Sequence, residues 1–114
     1  MELQTEERDG ALVVTVPEDR VDAAVAIEFK DRMRQVTDTE SARIVMDLSR
    51  VAFLDSSGLG AVVAAMKQLR PDQRLELAGL TPTVAKVFRL TRMDTVFTLH
   101  DTLDSAFSFG THVA

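Results

Sequence analysis

Ile44-Val45-Met46-Asp47-Leu48 restricts the fold more than any other stretch of the chain. The run is too short for a surface helix and too continuously apolar for a half-exposed strand, which leaves a strand buried on both faces. Such strands belong to parallel sheets covered by helices. The flanking segments supply those helices. Val25, Phe29, Met33 and Val36 recur at helical spacing before the run, and Leu59, Val62, Val63, Met66 and Leu69 do so after it. An α/β architecture follows, with right-handed crossovers between parallel strands.

The remaining elements fit around this unit. Asp9-Gly10 tolerates positive φ and suits a two-residue hairpin turn between a strand over 3–8 and a second over 12–16, which Pro17 closes. Asp22 stands where an N-cap is expected for a helix over 23–36. Residues 74–78 read as a strand ending at Gly79. Thr81-Pro82 starts a third helix carrying Val84, Val87 and Phe88 on one face, with Thr as cap and Pro in the first turn. A last strand over 96–99 leads to Thr102 as the cap of a fourth helix through Leu103, Ala106 and Phe107, with Gly110 as its stop. The expected order is β-β-α-β-α-β-α-β-α: a small mixed, mostly parallel sheet with helices packed against it. No linker or repeat divides residues 1–114, so a single domain is expected.

Composition removes several function classes. The 114 residues contain no Cys, which excludes disulfides, thiolate nucleophiles and Cys-based zinc sites. Thirteen Lys and Arg against eighteen Asp and Glu give a net charge of -5, and there is no Trp or Tyr, so nucleic acid is a poor partner. The apolar run Leu59–Met66 falls short of the roughly 20 residues a membrane helix needs, and the first seven residues are acidic where a signal peptide is basic. A cytoplasmic protein without membrane insertion is expected, as a monomer or weak dimer.

Chemistry in open α/β sheets gathers at the carboxyl ends of strands and the helix N-termini they feed. Asp22, Asp47 and Asp55 fall at such places, as caps or as oxygen ligands for a hard cation. Ser56 and Ser57 stand beside Asp55. Ser57 is the expected N-cap of the second helix, which leaves the Ser56 hydroxyl available. Gly58 and Gly60 each weaken a helix start by about 1 kcal/mol relative to Ala, a cost consistent with open access to the serines or with close helix–sheet packing. No Gly-x-Ser-x-Gly motif is present, and His100 and His112 are the only imidazoles, so a Ser-His hydrolase is poorly supported. Val63 occupies the place of the third glycine of a dinucleotide fingerprint, and no Walker lysine follows the turn. No metal or cofactor is expected. Ile27 lies about 200° round the helix from Val25, off the buried stripe, as an isolated exposed residue or a partner contact.

The octet Phe53-Leu54-Asp55-Ser56-Ser57-Gly58-Leu59-Gly60 closely resembles the Asp-Ser-Ser/Thr-Gly-Leu-Gly signature of STAS domains, specifically bacterial anti-sigma factor antagonists. The resemblance extends over Ala11–Val16, Arg43–Leu48, Leu80-Thr81-Pro82, Phe88-Arg89-Leu90 and Phe97 to Ala106. It implies a non-enzymatic switch protein that needs no cofactor. Ser56 maps to the residue phosphorylated by a serine kinase that is also the anti-sigma factor. Unphosphorylated antagonist sequesters that kinase, and a PP2C-type phosphatase resets the system. Asp55, Ser57, Gly58, Leu59, Gly60 and Asp22 map to its switch-site and partner-binding neighbours. Pro17–Asp22 departs from the pattern, lacking the Gly usual after the second strand. Within the same fold the alternative is a STAS regulatory or scaffold subunit with a non-sigma target: stressosome-like, chemotaxis or second-messenger signalling, or lipid or anion transport.

Overall fold

The computed structural model describes residues 1–108. Strands β1 (Gln4–Arg8) and β2 (Ala11–Thr15) form the opening hairpin, and its turn residues Asp9 and Gly10 have φ of 51° and 81°. Two successive positive φ values match the twist of a tight hairpin, which is why Gly is placed there. Strand β2 then pairs in parallel with β4 (Arg43–Asp47), β4 with β6 (Arg74–Ala78), and β6 with β7 (Thr98–His100). The sheet order is β1-β2-β4-β6-β7, antiparallel only at the β1 edge.

Alternation along these strands sorts their side chains onto two faces. Leu12, Val14, Ile44, Met46, Leu75 and Leu77 point to the main core, where they meet helices α1 (Ala26–Val36), α2 (Ser56–Lys67) and α3 (Pro82–Leu90) through Phe29, Met33, Val62, Val84 and Phe88. Phe97 closes this core edge-on to Phe88, with ring centroids 5.9 Å apart. The opposite face is smaller. There Ala11, Val45 and Ala78 are covered by Ala106 and its neighbours Leu103 and Phe107.

Four expectations are corrected. Helix α1 starts at Ala26 and not at 23: Asp22 Oδ1 accepts from the Ala24 N–H at 3.1 Å, the geometry of an Asx turn, and Val25 occupies the cap position without a side-chain bond. Asp22 therefore organises a turn before the helix. The last strand begins at Thr98 because a 3-10 turn over Met93–Thr95 consumes the preceding residues. After it, Asp104–Phe107 is a single 3-10 turn and not an α-helix. Thr102 and Ser105 close it reciprocally: each hydroxyl accepts the other's backbone N–H, at 3.0 and 3.1 Å. The Gly110 stop lies outside the described residues. Finally, a two-stranded parallel sheet of β3 (Arg20–Val21) and β5 (Phe53–Leu54) forms where only loops were expected.

Candidate functional site

The β3–β5 pair determines the geometry of the signature octet. The Asp19 carbonyl accepts from the N–H groups of Ala52 and Phe53 at 2.8 and 3.1 Å, which draws the approach to α1 alongside the approach to α2. Asp55 completes the junction as the N-cap of α2. Its Oδ1 accepts from the Gly58 N–H at 2.8 Å, and its Oδ2 faces the Ala23 N–H at 3.4 Å. The expected Ser57 cap is thereby replaced. Asp55 precedes the helix with extended backbone (φ -98°, ψ -173°), as an N-cap requires, whereas Ser57 is already helical.

With Asp55 in the cap role, Ser56 and Ser57 occupy the first two helical positions and are both exposed. Neither hydroxyl has a hydrogen-bond partner among the described residues, and their two backbone N–H groups are also unpaired there. Donors left open at a helix N-terminus, with the positive end of the dipole behind them, favour an anion. Gly58 is buried, and a Cβ on it would lie 1.9 Å from the Val21 carbonyl oxygen, so this glycine exists for close packing of α2 on β3. Gly60 is exposed with open space around it. Of the two readings of the glycines, Gly58 answers to packing and Gly60 to access. The Gly58 N–H is already taken by Asp55.

The surface beside the serines includes two residues that sequence reasoning passed over. Phe53 is 37% exposed, and the Arg20 guanidinium lies 4.3 Å from its ring centroid. They are register partners across the β3–β5 pair, and Arg20 also reaches Asp22 at 3.4 Å. The exposure of Phe53 follows from the β3–β5 pairing and left no mark in the apolar run Val51-Ala52-Phe53-Leu54. Ile27, on α1, is 71% exposed.

The other candidates are placed elsewhere. Asp47 Oδ1 accepts from the Ser49 N–H at 3.0 Å and sits near Gly79, so it organises the end of β4. Among the described residues no group of three or more His, Cys, Asp or Glu could hold a metal ion, so the cation reading of Asp22, Asp47 and Asp55 is not supported. His100, just past the strand expected over 96–99, is the last residue of β7. Its Nε2 contacts Glu76 Oε1 at 2.8 Å on the sheet face opposite the helices, so it is not a base for Ser56. His112 lies outside the described residues.

Glu76 is the centre of that second face. It accepts from Arg43 Nε and Nη2 at 3.0 and 2.8 Å and from Arg74 Nε at 2.8 Å. Burial raises its pKa, but hydrogen bonds from Arg43, Arg74 and His100, with the Arg43 charge, more than reverse this and lower it from 4.5 to about 2. Arg43 also donates to the Ala106 carbonyl, and the Phe107 ring packs against the guanidinium groups of Arg8 and Arg43 at 4.6 and 4.8 Å. A lone acid in the apolar strand Leu75-Glu76-Leu77-Ala78 was the sequence signal for this network.

Taken together, a mostly parallel five-stranded sheet, an exposed diserine at the start of α2 and a carboxylate locked as its cap define a small α/β domain with its candidate site at one helix N-terminus. The family model for the STAS domain matches residues 2–106. An anti-sigma-B factor antagonist of Listeria monocytogenes is 30% identical over 95 residues, which cover 82% of this chain and 83% of that protein. The crystal structure of an anti-sigma factor antagonist from Mycobacterium paratuberculosis is 29% identical, covers 94% of this chain and 91% of its own, and superposes with a TM-score of 0.83. The Bacillus cell fate determinant SpoIIAA in its phosphorylated form shares the fold, with a TM-score of 0.65 at 22% identity over 94% of this chain and 97% of its own. The chain belongs to the STAS domain family, among the anti-sigma factor antagonists.

Proposed function

We propose that this protein is a phosphorylation-controlled partner switch. Unphosphorylated, it binds a cognate serine kinase that is also an anti-sigma factor, and phosphate on Ser56 releases it. The observation that carries this reading is the state of Ser56: an exposed hydroxyl without a partner at the first position of α2, beside open backbone donors and a fixed carboxylate. A phosphoserine adds about -1.5 to -2 charges at neutral pH and three strong acceptors. The open N–H groups of α2 and its dipole offset that charge within the fold. A partner surface packed against a neutral hydroxyl has no such compensation, and Asp55 adds like-charge repulsion. One state is then compatible with the complex and the other is not.

The switch acts by binding and catalyses nothing itself. A PP2C-type phosphatase restores the hydroxyl, and the cycle runs in the cytoplasm, where the kinase has ATP. Asp55 holds α2 in register with the α1 approach, while Arg20, Phe53 and Asp22 border the docking face. Intact-mass analysis of protein taken from its own cells, before and after phosphatase treatment, tests the reading. A single removable phosphate, mapped to Ser56 by peptide sequencing, is expected. A phosphate on Ser57 or a threonine overturns the assignment.

A further inference from the structure

The outer side of α3 and the turn that follows it concentrate groups that the fold does not use. Thr83, Lys86, Arg89 and Leu90 lie on the side of the helix away from the fully buried Val84 and Phe88. Leu90 is 73% exposed, and Val96 just beyond the 3-10 turn is 49% exposed. Lys86, Arg89 and Arg92 are all exposed, and none has an ion pair or side-chain hydrogen bond among the described residues. Arg8, Arg20, Arg43, Arg70 and Arg74 each meet a carboxylate, and Lys30, Arg50 and Lys67 are unpaired among the described residues but scattered, whereas these three cations fall within seven residues of chain. From residue 77 to residue 93 the chain carries these three cations and no acid, although its net charge is -5; exposed Asp94, between Arg92 and Val96, is the one acid beside them in the chain.

Arg92 provides an independent sign. It follows the C-cap Thr91 with φ 61° and ψ 18°, a left-handed conformation that favours glycine. The fold uses only its backbone: the N–H donates to the Arg89 carbonyl at 3.1 Å, and the carbonyl accepts from Thr95 Oγ1 at 2.7 Å. The Thr95 N–H donates to the same carbonyl at 3.2 Å, and glycine would make all three bonds with less strain. The guanidinium stands at this position against local preference and without an internal partner.

We propose that this face is a second docking surface, for an acidic protein segment that sets carboxylates against Lys86, Arg89 and Arg92 and an aliphatic side chain against Leu90 and Val96. Charge complementarity selects this occupant. Two aliphatic side chains without an aromatic are too little apolar surface to seat an interfacial helix in lipid, and the net negative charge opposes an anionic membrane. The surface lies apart from Ser56. Ser56 opens α2, whereas these groups lie at the end of α3 and in the turn beyond it. It is open in both phosphorylation states, and a complex here can persist while the Ser56 partner exchanges.

The test is fluorescence anisotropy with a labelled synthetic peptide, rich in Glu and carrying Leu at i and i+4. The parent protein should bind it, more weakly as salt rises. Arg89→Glu and Leu90→Ser should each weaken binding by about tenfold or more. Arg92→Gly should lower affinity while raising the melting temperature, a pair of opposite effects that general misfolding does not produce. Ser56→Asp should leave this binding unchanged, which separates it from the switch. No binding by the parent, equal binding of a control peptide with Ser in place of Leu, or unchanged affinity in Leu90→Ser or Arg92→Gly overturns the proposal. Anionic phosphatidylglycerol vesicles, or self-association in sedimentation through the acidic β1 edge, overturn it too if they depend on these residues and the peptide does not.

Discussion

Asp55 and the two serines after it divide structural and signalling work by position in the helix. Asp55 caps α2 and faces the α1 approach, so Asp55→Ala should cost about 1 to 2 kcal/mol, whereas Ser57→Ala, which removes an unbonded hydroxyl, should stay within about 0.5 kcal/mol of the parent. Urea denaturation of the two variants checks the order, and a larger loss at Ser57 would restore it as the cap. Ser56→Asp probes signalling. Asp55 is half-buried, but the new carboxylate at position 56 stands in solvent, where a pair at 4 Å repels by about 1 kcal/mol and the helix dipole offsets roughly 0.3 to 1 kcal/mol of that. The variant should keep the parent's circular dichroism spectrum and melt within a few degrees of it. At a desolvated interface the same charge costs roughly 2 to 5 kcal/mol, about thirty-fold or more in affinity. Calorimetric titration against the cognate kinase should show lost binding with retained fold. Parent-like affinity in this variant and in the phosphoprotein would remove Ser56 as the switch.

Helix α2 shows what a one-dimensional pattern can and cannot reveal about an element. Its apolar stripe and its start were legible, but the meaning of its glycines was not, because Gly58 answers to a backbone oxygen more than thirty residues away in sequence. A Cβ on Gly58 would meet the Val21 carbonyl, part of a strand paired with β5, so relief requires moving backbone. Gly58→Ala should therefore destabilise by about 2 to 4 kcal/mol, while Gly60→Ala, on an open helical face, should stabilise by up to about 1 kcal/mol. Thermal melts of the two give opposite shifts if the packing account holds. The hairpin, β4, β6 and the start of α3 were readable because periodicity and turn chemistry are local. Strands β3 and β5 were not: two residues carry no period, and their pairing depends on the Asp19 carbonyl across the fold. At α3 the boundary was right but its bonding differed, since the Thr81 hydroxyl donates to the Val51 carbonyl at 2.8 Å and caps no amide.

At the scale of the molecule, the two faces of the sheet are held by different physics. The helix side rests on apolar burial, while the other side is closed over Ala11, Val45 and Ala78 by a short C-terminal segment that Arg43 ties to Glu76 and to the Ala106 carbonyl. Glu76 joins β4, β6 and β7 through Arg43, Arg74 and His100, so its ionisation is coupled to the integrity of that face. Its folded pKa, about 2, lies below the value of 4.5 for a free side chain. A carboxylate depressed on folding stabilises the native state fully above its unfolded pKa, and loses that contribution as pH falls towards its folded pKa. Stability should therefore decline between about pH 4.5 and 2, by an amount on the order of 2 kcal/mol for this group. Glu76→Gln tests the attribution. It keeps the shape but removes the charge that Arg43 and Arg74 face, so it should lower stability at pH 7 by a similar amount and flatten the acid limb. Denaturation midpoints at matched ionic strength across that range decide the matter. If the variant's profile runs parallel to the parent's, acid sensitivity arises from other carboxylates, and the Glu76 network does not hold the second face closed.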